Sequence, residues 1–393
     1  MKICIINNIY PPYHRGGAEQ VVVQTVKGLR ERGHIVVVIT STPGDDEIEE
    51  KDGVKIYRIN PKMSYFYTDA HEHGVFSRIR WHVENIWNKR VAARVDEIFA
   101  IEKPDVVHTH NLMGLSFLIP KKIRARNIRH IHTIHDVQLV EPSGMILKTK
   151  EHSFRYHGPH TWLYSSITKN LFGSPDVVIS PSKFLLDFYR DRGFFGNSNC
   201  IVIRNPLTFS AESVYEKKEN AKLVLLYVGQ IEYHKGITVL IDTVEKLHSD
   251  EFELHIAGGG SLLEEIKKRT EKLPHVHIHG RVEKEKLREL YKTADITVVP
   301  SLCYENSPTV IFESFSFHTP VLASKIEGIA ELIEEGKNGI TCEAGNVNKL
   351  AEKIIWSVSH RSELERMRNF ITIPQTSNKE YITSLEESYS TLS

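Results

Sequence analysis

Two glutamates, Glu305 and Glu313, stand with seven residues between them in the stretch 299–339, which begins V-P-S-L-C-Y-E-N-S-P-T-V-I-F-E. Paired carboxylates can exchange protons or hold a polyhydroxy ligand, depending on where the chain places them. Pro308 lacks an amide hydrogen and suits the first turn of a helix, with Ser307 as its cap. Glu305 is therefore expected in a loop and Glu313 on the following helix. The apolar run Asp295 to Pro300 reads as a buried strand leading into that loop. One carboxylate then faces the strand end and the other the helix shoulder. In open α/β sheets the crevice outside the carboxyl ends of the strands binds ligands, and helix amides there favour anions.

Other residues that could do chemistry lie at similar positions. Gly16-Gly17 precedes a periodic segment, Ala18 to Arg32, and glycines before a helix let a ligand approach backbone amides. Asp105-Val-Val-His-Thr-His110-Asn111 and Arg129 to His135-Asp136 are two strands that end in histidines. Of the 21 histidines, His110 and His135 share the strand-end position expected of site residues. His108, His110, His132 and His135 alternate on strands, so paired ligation of a metal is geometrically open. No acidic or cysteine partner stands at ligand spacing, and no Asp-x-Asp occurs in the chain. No metal and no cofactor is expected.

At 393 residues the chain exceeds one ordinary core, and its composition is that of a globular enzyme. The formal charge is zero, but the halves differ: 28 Lys+Arg against 21 Asp+Glu up to Asn205 gives +7, and 22 against 29 beyond it gives −7. A basic first half suits an acidic acceptor or an anionic membrane face, and Lys121, Lys122, Arg124, Arg126 and Arg129 cluster within it. A solvated helix face is the competing reading of that cluster. No nucleic-acid partner is expected. Four cysteines without paired spacing and the lack of a ~20-residue apolar run point to a cytoplasmic protein, with peripheral contact at the inner membrane face left open.

The elements that must position these residues alternate between strands and helices twice over. Lys2 to Asn8, His34 to Thr40, 105–111, 129–133 and 176–180 read as strands of a first array, and Phe76 to Lys103 as one long amphipathic helix. Glu141 to Gly173 has no legible period and suits an acceptor loop or a lid. Residues 207–220 are polar and patternless, as in a domain connection. The alternation restarts at Leu223 to Val228, followed by the loop Gly229-Gln230-Ile-Glu-Tyr-His-Lys235-Gly236. Two such arrays imply two doubly wound domains. Neither is a dinucleotide fold by its glycines, because Leu263 stands where the third small residue after Gly258 and Gly260 belongs.

In order and spacing these pieces resemble the retaining nucleotide-sugar glycosyltransferases of family four. The resemblance is carried by Pro12-Tyr-His-Arg-Gly-Gly-Ala-Glu19, His135-Asp136, Asp176-Val-Val-Ile-Ser-Pro-Ser182 and Asn205-Pro206 in the first half. In the second half, Tyr227-Val-Gly-Gln-Ile-Glu-Tyr-His-Lys-Gly236, Ala257-Gly-Gly-Gly260, Gly280 to Pro300, Glu305 to Glu313 and Thr319-Pro-Val-Leu-Ala-Ser324 carry it. It implies a GT-B architecture, two doubly wound Rossmann-like domains facing across a cleft. An acceptor-binding domain would span 1–206, with a C-terminal helix over about 371–393 returning to it, and a donor-binding domain 207–370.

The resemblance also implies roles. Glu313 would take the ribose hydroxyls of the donor, and Glu305 the transferred sugar, helped by amides of Asn306, Ser307, Thr309 and Val310. Lys235 would meet the diphosphate, Arg281-Val282 would read the base, Gly17 would give an amide to the diphosphate, and His135 would touch the sugar. His14, Arg15, His110 and Asn111 are the acceptor-binding candidates. Gln230 stands where many relatives have arginine, and Ser307-Pro308 where many have an aromatic residue and glycine. The implied reaction moves a hexose-type sugar from a UDP- or GDP-sugar to a hydroxyl of a glycan, lipid-linked or small acceptor. It proceeds by same-face substitution, with the leaving phosphate as base. A sugar-nucleotide epimerase or phosphorylase of the same fold, or a non-catalytic nucleotide-sugar binding module, are the alternatives.

Overall fold

The computed structural model describes residues 1–13, 16–207, 209, 221–247, 250–372 and 377–390, the side chains of Ala70 and His71 excepted. His14, Arg15 and most of 207–220 lie outside these residues. The chain forms two compact units. One comprises Met1–Met145, His152–Pro206 and the helix Asn378–Ser390; the other comprises Ile146–Glu151 and Leu207–Ser377.

The first unit is built on strands β1 (Lys2–Ile6), β2 (Ile35–Ser41), β3 (Glu47–Lys51), β4 (Val54–Ile59), β5 (Val106–Thr109), β6 (Arg129–Thr133), β7 (Val177–Ser180) and β8 (Asn199–Val202), in the order β3-β4-β2-β1-β5-β6-β7-β8. Only the β3–β4 pair is antiparallel. The central strands are continuous apolar runs because both faces are covered, as parallel sheets require; Ile3, Ile5 and Ile6 are all fully buried. From β1 the sheet grows one way through β2 and the other way through β5. The loop after β1, which runs into a helix at Gly17, and the loop after β5, which holds His110-Asn111, therefore flank the point where the order reverses.

The helix Gly17–Glu31 buries Val21, Val22, Val26 and Leu29 on this sheet. The helix Asn378–Ser390 packs against it through Tyr381, Ile382, Leu385 and Tyr389. Where the sequence reads one helix over 76–103, there are two, Val75–Ile86 and Lys89–Glu102. Asn88 ends the register between them: its side chain accepts the Val91 amide at 3.0 Å and caps the second helix. The basic cluster is largely engaged within the unit. Arg124 donates to the Leu171 and Phe172 carbonyls, Lys122 and Arg126 pair with Asp96, and Arg129 donates to the Ser388 carbonyl.

Among the described residues the second unit has six strands, β9 (Leu223–Val228), β10 (Phe252–Ala257), β11 (Val276–Gly280), β12 (Ile296–Val299), β13 (Val321–Ser324) and β14 (Gly339–Cys342), all parallel, in the order β11-β10-β9-β12-β13-β14. This is the doubly wound order of a Rossmann sheet, and its reversal lies between β9 and β12. The loops that leave those two strands carry Gln230 and Lys235 on one side and Glu305 on the other. No described helix is long and apolar enough to cross a membrane.

Candidate active site

At the reversal point of the second sheet, Lys235 Nζ donates to Glu305 Oε1 at 2.7 Å, and Ser301 Oγ donates to the same oxygen at 2.7 Å. Lys235 ends a short 3-10 turn, Tyr233–Lys235, and Glu305 lies in the loop leaving β12. The two loops can approach this closely because Gly236 (φ +74) has no side chain: a Cβ there would lie 1.8 Å from the Pro300 carbonyl oxygen. Burial alone would lower the Lys235 pKa. The Glu305 charge and hydrogen bond outweigh it, so the ammonium is held above its ordinary range.

Helix Thr309–Ser316 follows, and here the expected cap is corrected. Pro308, not Ser307, occupies the cap position, extended at φ −66 and ψ 114. Proline has no side-chain acceptor, so the cap residue itself offers the first amides no side-chain partner. Its first amides, those of Thr309 and Val310, begin beside the Glu305 loop and suit an anion. Glu313 lies one turn along, 8 % exposed, with Oε2 accepting the Tyr291 hydroxyl at 2.8 Å. Burial and the Glu313 charge both push the Tyr291 phenol well above its usual range, which keeps it a donor.

The loops after β9, β10 and β11 run side by side through backbone hydrogen bonds, Ile231 N to Gly259 O and Gly258 N to Gly280 O. This ladder brings Gln230, the Gly258–Gly260 loop and Arg281 to one end of the sheet. The Arg281 side chain lies over Gly259, where a Cβ would come within 2.9 Å of Nε, and Val282 packs into the cluster around Tyr291 and Leu290.

Part of the loop that reads as illegible belongs here too. Leu147 bridges Cys303, Lys148 N donates to Leu302 O at 2.7 Å and Tyr304 N to Ile146 O at 2.8 Å, so 146–151 braces the Glu305 loop. Lys148 also pairs with Glu327, next to Gly328. Gly328 has φ +85, and a Cβ on it would lie 1.6 Å from the Glu305 carbonyl oxygen. Gly328→Ala is therefore expected to shift the Glu305 backbone and cost about tenfold in turnover, since small misplacements weigh heavily on reaction geometry. Steady-state kinetics on a variant that keeps its melting temperature checks this, and unchanged turnover would refute the bracing role.

In the first unit the structure joins two residues that share a strand-end position. His110 Nδ1 lies 2.9 Å from His135 Nε2. His110 is fully buried, and Asn111, 8% exposed, accepts from Gln138 Nε2 at 2.6 Å. His135 is half-buried, and desolvation lowers its pKa to about 4, which makes it a neutral imidazole. Asp136, whose Oδ1 accepts the Gln138 amide, is raised to about 6 by burial. Gly16 N donates to Glu19 Oε2 at 2.8 Å, and Gly17 begins the helix. Tyr291, Ser301 and Gly328 were not among the sequence candidates. Tyr291 and Gly328 act on Glu313 and Glu305 from more than twenty positions away, and Ser301 acts on Glu305 from four positions back within one loop, where no residue pattern marks it.

Two doubly wound units, one presenting a lysine, two buried carboxylates and a helix start at its reversal point, define a protein of the GT-B class. Residues 15–209 match the family described as Glycosyltransferase Family 4, and residues 210–372 match Glycosyl transferases group 1. The chain belongs to the group 1 glycosyltransferases. It is 27% identical to an uncharacterised 42.6 kDa protein in the cps region of Klebsiella pneumoniae, over 84% of this chain and 87% of that one. Glycogen synthase of Mycobacterium tuberculosis is 25% identical over 90% and 85%. Among solved structures, sucrose-phosphate synthase from Thermosynechococcus elongatus superposes with a TM-score of 0.72 at 17% identity, covering 99% of this chain and 98% of that one. HepE of Anabaena in complex with UDP-glucose superposes with 0.69 at 16% over both whole chains.

Proposed function

We propose that the protein is a retaining, metal-independent hexosyltransferase that takes its sugar from a uridine or guanosine diphosphate donor and passes it to a hydroxyl of a glycan or lipid-linked acceptor. One observation carries the reading: Lys235, Ser301 and Glu305 are joined where the second sheet reverses, beside the helix start and Glu313. Lys235 meets the diphosphate, whose charge grows as it leaves, so its stabilisation is largest in the transition state. The amides of Asn306, Ser307, Thr309 and Val310 add to it, and Gln230 donates in place of a second cation. Glu313, fixed by Tyr291, accepts from ribose hydroxyls. Arg281 and Val282 face the base, and Glu305 holds hydroxyls of the sugar. In the first unit, the Gly17 amide serves an anion and neutral His135 a sugar hydroxyl.

Glu305 is poorly suited to form a covalent intermediate, because one oxygen already accepts from an ammonium and a hydroxyl. The acceptor oxygen then bonds to the anomeric carbon on the face the diphosphate leaves. The broken bond's electron pair goes to the diphosphate, and the acceptor proton goes to its departing oxygen. The UDP-glucose complex of HepE supports a uridine diphosphate sugar. A lipid-linked acceptor is supported by the helix Val75–Ile86, which leaves Val75, Phe76, Ile79 and Val83 exposed, with Trp87 beyond its end.

The test is a thermal-shift screen against UDP, GDP, ADP and their sugars, followed by transfer assays with soluble and vesicle-borne acceptors and NMR of the product anomer. UDP or GDP is expected to raise the melting temperature. Glu313→Gln, which leaves the Tyr291 hydroxyl an acceptor, should weaken nucleotide binding by about tenfold or more. Unchanged affinity in that variant, or a trapped glycosyl-enzyme, would overturn the assignment. Donor turnover without acceptor would favour an epimerase, phosphate dependence a phosphorylase, and binding without transfer a non-catalytic module. Transfer to soluble acceptors alone would remove the lipid-linked reading.

A further inference from the structure

The edge of the second sheet carries a cluster that the proposed reaction does not use. Alternation along β10 puts Glu253 and His255 on one face, and along the neighbouring edge strand β11 puts His277 and His279 on the same face. The parallel register sets His255 level with His277. Glu253 Oε2 lies 3.9 Å from His255 Nε2 and 4.0 Å from His277 Nε2, and one ligand atom from each of the three lies within 4.8 Å of the others. Among the described residues this is the one group of three such side chains close enough to share an ion.

We propose that Glu253, His255 and His277 form a binding site for a divalent transition metal of the zinc class. Two imidazoles and a carboxylate are a donor set that suits zinc, and three protein ligands leave a fourth position for water. Ligand atoms around a tetrahedral zinc are about 3.3 Å apart for bond lengths of ~2.0–2.1 Å, so the two separations from Glu253 must close by less than ~1 Å and that between the imidazoles by at most ~1.5 Å. His277, 40% exposed on the edge strand, can make that adjustment by rotation.

The orientation of His255 supports the assignment. Its Nδ1 lies 2.9 Å from His279 Nε2, with the two rings nearly parallel at 7°. If Nδ1 carries the proton and donates to His279, the lone pair of His255 Nε2 faces Glu253, as metal-ligating histidines require. The charge of Lys286, on the helix Lys284–Thr293, acts on His255 and His279 and opposes a cation, which places the affinity below that of closed structural zinc sites. By contrast, the buried histidines of the first unit direct their nitrogens at hydroxyls: His108 lies 2.7 Å from Tyr389 and from Thr133, and Thr109 serves His130 and His132. A bound ion would cross-link β10 to β11, the two strands whose ends carry the Gly258–Gly260 and Arg281-Val282 loops.

The experiment uses the full chain without an affinity tag, stripped with chelator, and titrates Zn²⁺ by calorimetry at neutral pH. Co²⁺ serves as a spectroscopic stand-in. One ion per chain is expected, with a tetrahedral Co²⁺ spectrum and a rise in melting temperature of about 5–10 °C at a hundredfold excess over Kd. Glu253→Gln and His277→Ala should each abolish the calorimetric signal while keeping the melting temperature of the metal-free protein. His279→Ala should weaken binding by about tenfold through loss of orientation. Undiminished zinc binding in both ligand variants, or no binding up to millimolar zinc, would overturn the proposal.

Discussion

Lys235→Met is expected to lower kcat/KM by about 10²–10³-fold, the cost of removing one preorganised group from a site of charge development. The arrangement of the pair explains why a neutral side chain of similar reach is not a mild change. Glu305 is 11% exposed at its side chain and has two close donors on Oε1, Lys235 and Ser301. Without the ammonium, a nearly buried carboxylate keeps a single hydroxyl donor, and removing one member of such a pair costs more than the pair itself contributes. The variant should therefore lose stability as well as activity.

The double variant Lys235→Met/Glu305→Gln separates the two effects. It removes the uncompensated charge, so its melting temperature should return toward that of the parent, while its activity should stay low because the ammonium that meets the leaving diphosphate is still missing. Recovery of activity along with stability would mean that Lys235 serves the fold alone. A single Lys235→Met variant within threefold of the parent kcat/KM would remove it from the mechanism.

The placement of this pair was legible in the sequence because local rules decide it. Apolar runs mark β9 and β12, glycine ends the turn after Lys235, and Pro308 separates loop from helix, so Glu305 and Glu313 fall where they were expected. Ser307 reads as the cap because a serine before a proline satisfies the capping preference, yet the extended Pro308 takes the position itself. Phe76 to Lys103 keeps one apolar period across two helices, and only the Asn88 cap reveals the break. Residues 146–151 have no period of their own because their pairing partner, Cys303, lies more than 150 positions away. Tyr291 escapes because its partner, Glu313, lies on another element 22 positions on, and Ser301 because nothing in the loop sequence shows which side chain will bond Glu305. His110 is correctly set at a strand end, but whether such a residue faces outward or, as here, stands behind His135 depends on packing that composition does not encode.

The first unit is expected to unfold cooperatively in mild acid, with a midpoint near pH 5, because its sheet encloses histidines that cannot take up a proton while folded. His108, His110, His130 and His132 are at most 2% exposed, and burial lowers all four, His108 and His132 to about 3. Each ring nitrogen that has a partner there meets a hydroxyl, a carbonyl or another imidazole, and none meets a carboxylate that could pair with a charge. Below pH 6.5 the unfolded chain binds protons that the folded chain refuses, so stability is full above that value and falls as pH drops toward 3. Each group contributes roughly 1.4 kcal/mol per pH unit, so four together exhaust an ordinary domain stability of about 5–15 kcal/mol within ~1–3 pH units. Asp136 works the other way: its pKa is raised to about 6, so it favours the folded state below that value, but it is one group against four. Tryptophan fluorescence reports the transition through Trp81, which is 2% exposed in this unit with its indole bonded to the Tyr65 carbonyl. His132→Gln, which cannot be protonated, should flatten the pH slope by about one proton. A Trp81 signal unchanged down to pH 4, or a slope equal in parent and variant, would show that the imidazoles reach water before the sheet opens.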